Sequence, residues 1–109
     1  MISLGKRIGL FYKKGNLDSL NKATAYLDKY ILPFTQKNVK KTRSGFNGTL
    51  IKYKNGDILE VIGISEDSNN QRGRRYDEVI VDRQYISLQE YETIIKPLIK
   101  PNELFIWLY

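Results

Sequence analysis

The chain of 109 residues contains no cysteine and no histidine. Their absence excludes disulfides, thiol nucleophiles, Cys/His zinc sites and histidine general bases together. Any chemistry would fall to carboxylates, lysine, tyrosine, hydroxyls or a bound magnesium ion. No apolar run approaches the length of a membrane span, and the N-terminal MISLGKRIGLFYKKG lacks the apolar centre of a signal peptide. No membrane partner and a cytoplasmic location are therefore the expectations, and the lack of cysteine agrees with them. There is no internal repeat and no low-complexity segment, and the length leaves room for one domain, 1–109.

What is present is ordinary for a globular domain: 41% hydrophobic and 28% charged residues. Charge is the first functional hint. Eighteen Lys and Arg stand against twelve Asp and Glu, a net +6. Such an excess favours a polyanionic partner through counterion release, or serves solubility alone.

Lys6 to Tyr12 reads as a short apolar strand. From Leu17 to Leu32 apolar residues recur at helical spacing, with Asn16 as N-cap and Pro33 closing the segment. Residues 35–48, TQKNVKKTRSGFNG, read as a basic loop, or as a loop with a short strand at Asn38 to Thr42. Thr49–Lys54 and Asp57–Ser65 flank Asn55-Gly56, the pair that favours a tight hairpin because both turn positions need positive φ. A polar loop spans 65–75. Val79 to Val81 form a buried strand, and Ser87 with Glu90 fits a capping box opening a helix that ends near Pro97. Glu103 to Tyr109 reads as a last buried strand. The expected fold is α/β (α+β being the alternative), with element order β-α-β-β-β-α-β. It is a small mixed sheet with an antiparallel hairpin, two helices and a right-handed βαβ unit near the end.

Val79-Ile80-Val81-Asp82 is a buried strand that delivers an aspartate at its end, and its surroundings extend the pattern. Asn47-Gly48-Thr49, Arg72-Gly73, Tyr76 to Asp82, Ile86 to Glu90 and Lys96-Pro97-Leu98 together resemble the ATPase core of viral large terminases, the DNA-packaging motors. That resemblance implies a nucleotide-binding core whose aspartate holds magnesium beside a catalytic glutamate. Two departures remove the chemistry. No G-x-x-x-x-G-K-[ST] loop exists to cradle phosphates, and the glutamate position holds Arg83, which cannot accept a proton at neutral pH. The resemblance thus implies a degenerate core without independent ATPase activity, cofactor or metal, in which Asp82 ends a strand and pairs with a nearby arginine.

The candidate contact residues are basic. Arg72, Arg74 and Arg75 crowd one loop, Lys37, Lys40, Lys41 and Arg43 the other, with Lys52 and Lys54 nearby, and Arg83 adds a further guanidinium. If both loops meet at one end of the sheet they form one cationic surface. Tyr53, Tyr76 and Tyr85 are the candidate exposed recognition aromatics, whereas Tyr26, Tyr30, Tyr91, Phe105 and Trp107 read as core. The functional expectation is a non-catalytic phage or mobile-element protein that engages nucleic acid or a nucleic-acid-handling host or viral protein. It would act as a decoy or inhibitor of host defence in the manner of anti-CRISPR proteins. The alternative is a split or accessory component of a terminase motor. The C-terminal strand offers an edge for homo-oligomerisation.

Overall fold

The computed structural model describes residues 5–45, 48–65, 76–99 and 105–108. Within these, one six-stranded mixed sheet runs in the order β2-β3-β4-β1-β5-β6. Its strands are β1 (Arg7–Lys13), β2 (Val39–Gly45), β3 (Gly48–Tyr53), β4 (Ile58–Ile64), β5 (Glu78–Val81) and β6 (Phe105–Leu108). Helical segments α1 (Leu17–Tyr26) and α2 (Leu32–Thr35) connect β1 to β2, and α3 (Leu88–Glu90) opens the connection from β5 to β6. The α/β class, the hairpin and the parallel β5–β6 pair all agree with the expectation.

β1 lies at the centre, parallel to β4 on one side and to β5 on the other. A strand so placed is covered on both faces and reads as continuous apolar sequence, as RIGLFYK does. Alternation sends Leu10 and Ile80 toward α1, where they join Ala23, Leu27, Ile51, Tyr53, Leu59 and Val61. Phe11, Val79 and Val81 point the other way and pack with Ile62, Ile64, Tyr76, Ile86, Ile95 and Leu98. Tyr76 is fully buried, meets Phe11 edge-on at 5.5 Å and donates its hydroxyl to Glu60 at 3.1 Å. Burying a phenol demands such a partner.

Three local expectations are corrected by the backbone. First, VKKTRSG is a full strand, β2, rather than a loop or a strand ending at Thr42. It pairs antiparallel with β3, with an irregularity between Val39 and Lys41. Second, Pro33 does not close the helix. A π turn (Leu27–Ile31) shifts the hydrogen-bond ladder before the proline, and helical backbone continues through α2 and a 3-10 turn (Gln36–Asn38). The same device recurs around Pro97, where a π turn (Tyr91–Ile95) precedes a 3-10 turn (Lys96–Leu98). Third, the β3–β4 connection is not a two-residue turn with both φ values positive. Gly56 alone takes the left-handed φ of 97°, while Asn55 caps the turn by accepting from the Asp57 N–H at 2.9 Å. Asn16 and the Ser87–Glu90 capping box sit where the sequence places them.

Candidate functional site

The β2–β3 ribbon carries the clearest surface feature. Antiparallel partners share a face, so the pairs Lys41–Lys52 and Arg43–Leu50 look in one direction. Ile51 and Tyr53 alternate with them and are buried against α1 on the other side. Lys41, Arg43 and Lys52 are exposed and, with half-buried Leu50 between them, line a very shallow groove. Directly opposed like charges destabilise a ladder by roughly 0.2–1 kcal/mol. Glu60, opposite Leu50 on β4, shares this face but is engaged by Arg7 and the Tyr76 hydroxyl, and none of Lys37, Lys40, Lys41, Arg43, Lys52 and Lys54 has an ion-pair partner among the described residues. By contrast, Lys6 pairs with Glu78, Arg7 with Glu60, Lys13 with Glu90 and Lys22 with Asp82.

A simple sequence signal lies behind this division. Between Asp28 and Asp57 there are seven lysines and arginines and no acid, so this stretch alone accounts for the chain's +6. Lys37 sits in the 3-10 turn ahead of β2, and Lys40 at the irregularity in the ladder. Arg83 is exposed but follows β5, three strand spacings from β3, or roughly 14 Å. It is not part of the groove. Arg72, Arg74 and Arg75, and with them the expected meeting of two basic loops, lie outside the described residues; the β2–β3 ribbon is cationic in its own right.

The aromatic candidates change places. Tyr53, 8% exposed, and Tyr76, 0%, are core residues and not recognition surfaces; Tyr53 bonds Thr35 Oγ1 through its hydroxyl at 3.1 Å. Tyr85 is half-buried, with the Lys22 ammonium 5.7 Å from its ring centre. Among the described residues the exposed rings are Phe34, 77%, and Tyr30, 56%, the latter expected in the core. Burying such a ring contributes about 1.5–3 kcal/mol; Tyr30 recovers part of this by packing one side against the Tyr26 ring at 5.2 Å.

The carboxyl end of the parallel strands is the usual ligand crevice of an open α/β sheet, where neighbouring strands send their connections to opposite faces. Here β1 leads to α1 on one face and β5 to α3 on the other. Two ion pairs of the chain's own side chains stand at this end of the sheet. Asp82, fully buried, accepts at Oδ1 from Lys22 Nζ at 2.9 Å and from the Gln84 N–H at 2.9 Å, leaving Oδ2 without a partner. Its cation is therefore a lysine and not the expected arginine. Lys13 of β1 reaches the other way to Glu90. Burial pushes the Glu90 pKa up, but the Lys13 hydrogen bond and charge, with the Ser87 N–H, outweigh it and hold the group below its ordinary value. No group of three or more Asp or Glu able to hold a metal ion occurs among the described residues, and none of their helices is long and apolar enough to cross a membrane. No protein-family model, curated protein or solved structure matches the chain.

Proposed function

We propose that this chain is a non-catalytic nucleic-acid binder whose contact surface is the groove face of the β2–β3 ribbon. The observation that carries the reading is the ladder register, which sets Lys41, Arg43 and Lys52 on one face with no ion-pair partner among the described residues. Residues two apart on a strand are about 6.8 Å apart, a spacing suited to successive phosphates along a backbone. Each neutralised phosphate releases counterions, so affinity falls steeply with salt. Lys22 against Asp82 and the guanidinium of Arg83 support a binder without hydrolytic chemistry. A small stoichiometric binder of this kind suits a phage or mobile-element protein that masks nucleic acid from a host defence nuclease in the cytoplasm, as an anti-CRISPR-like inhibitor would.

The test is the triple reversal K41E/R43E/K52E, read by anisotropy of a labelled oligonucleotide across a salt series. Wild type should bind with a log–log salt slope that includes about −0.7 to −0.9 per phosphate contacted. The variant should lose binding and flatten that slope while unfolding at nearly the same temperature, because the three side chains are exposed. Unchanged binding would overturn the proposal. Binding to an acidic protein with no affinity for oligonucleotides would redirect it to a nucleic-acid-handling partner. The companion reversal R72E/R74E/R75E measures what that arginine run adds.

A second reading, an accessory piece of a terminase motor, rests on one feature: Asp82 ends the strand beside β1, whose turn leads straight into α1. It requires saturable, magnesium-dependent ATP binding lost in Asp82→Asn.

A further inference from the structure

Resting on the nucleic-acid reading above, we infer that the ligand is single-stranded, with its phosphates in the Lys41–Arg43–Lys52 groove and its bases stacked on Phe34 and Tyr30. Both rings are mostly exposed, and Lys29 stands 5.4 Å from the Tyr30 ring centre. Their position is tied to the ribbon. Thr35, next to Phe34, bonds the hydroxyl of Tyr53, and Tyr53 faces Val39 at the first rung of the β2–β3 ladder. The Lys41–Lys52 rung follows about two residues, roughly 7 Å, along the strand.

The segments that carry the rings and the groove cations supply cations and π faces and no acid, since the sequence holds none from 29 to 56. An apolar protein surface would match the rings but not the charges; an acidic peptide would match the charges but not the rings. Nucleic acid offers both. A duplex keeps its base faces stacked inside, so only unpaired bases reach an aromatic side chain.

Topology gives a second, independent argument. The rings belong to the helical segments on the α1 side of the sheet, whereas the groove opens on the α3 side. Between them stands β2, the outermost strand of the sheet. A ligand touching both must turn around that edge within a few residues. Duplex DNA, with a persistence length near 50 nm, does not bend on this scale without large cost. A single strand does.

The experiment uses the full chain and three labelled probes roughly 20 nucleotides long, longer than a site of this kind: oligothymidylate, an abasic strand of the same length, and a duplex. Wild type should prefer oligothymidylate over the abasic strand. In Y30A/F34A that preference should fall by about 5- to 150-fold per stacking ring lost. Affinity for the abasic strand should stay within about two-fold, and thermal unfolding should be near wild type. An equal preference in the variant, or equal wild-type affinity for all three probes, would overturn the inference and leave the ribbon proposal standing. No wild-type binding to any probe would overturn both. F34Y should restore most of the preference in a Y30-intact chain, which a purely structural role of the ring would not require.

Discussion

Lys22→Met should cost this fold more than Asp82→Asn, although the two substitutions remove opposite ends of one ion pair. Asp82 is fully buried and accepts at Oδ1 only, while the Lys22 side chain is 34% exposed. Methionine keeps the apolar stem of lysine and deletes the charge, stranding a carboxylate in the interior. Breaking a buried pair from one side costs about 3–5 kcal/mol, and the partial exposure of the lysine reduces this to about 2–3 kcal/mol here. Asparagine at position 82 acts differently. Its carbonyl can still accept from Lys22 and from the Gln84 N–H, and its amide nitrogen would stand where Oδ2 already lacks a partner. Lys22 meanwhile can swing its ammonium toward water. The expected cost is about 1 kcal/mol or less.

The assay is thermal unfolding of wild type, both single variants and the double variant. Lys22→Met should lower the melting temperature by about 10 °C, and K22M/D82N should recover most of that loss, giving a coupling of about 2 kcal/mol. Equal costs for the two single variants would refute the reasoning. It would mean that the Asp82 charge is compensated by something other than Lys22.

Other consequences follow from single groups. The Tyr91 hydroxyl is buried without a partner, so Tyr91→Phe should hold or raise stability by up to about 1 kcal/mol; a loss of that size would reveal a bond. Burial first, then the charge of Glu92, raises the Tyr91 pKa above 10.0. The unfolded chain therefore ionises before the native one, stability falls as pH rises past about 10, and Tyr91→Phe should flatten that limb in pH-dependent melting curves. Glu90 has the opposite sign. Its folded pKa lies below 4.5, so the stability it contributes is present above that value and is lost as pH falls through the folded pKa. Lys13→Met should weaken this acid dependence. Gly48 has a φ of 125°, and a Cβ there would sit 2.0 Å from the Val61 carbonyl oxygen. Gly48→Ala should cost about 2–3 kcal/mol by thermal unfolding, and a neutral result would show that the β3–β4 ladder yields at this rung.

Much of the fold was legible because its signals are local. Asn16 and the Ser87–Glu90 box act within one helical turn, and the apolar runs of β1, β4 and β5 record burial on both faces. β2 was not legible in the same way. VKKTRSG has few residues that favour a strand, and its conformation is imposed by pairing with β3, which buries Ile51 and Tyr53 on the far side. Tyr30 was misjudged for a related reason. A strict helical period places it inward, but the π turn over Leu27–Ile31 changes the count, keeps Leu27 inside and turns Tyr30 out. Tyr53 and Tyr76 went the other way, since tyrosine tolerates burial once its hydroxyl finds Thr35 or Glu60.

The site shows why total charge is a poor guide to a binding surface. Twelve acids can pair with at most twelve of the eighteen cations, and around β1 Lys6, Arg7 and Lys13 each meet one. The stretch from 29 to 56 holds seven cations and no acid, and none of those cations pairs with an acid elsewhere among the described residues. Period-two alternation in β3 then has one outcome. Ile51 and Tyr53 must face the core, so Lys52 must face out, and the antiparallel register brings Lys41 opposite it. The hydrophobic demand of the core thus orients the cations, and the ladder bears their mutual repulsion, which on the proposed reading a polyanion would relieve. On this reasoning K52E alone, which puts a carboxylate across from Lys41, should stabilise the free protein by up to about 1 kcal/mol while weakening nucleic-acid binding. A gain in both stability and affinity would separate the groove from the binding site.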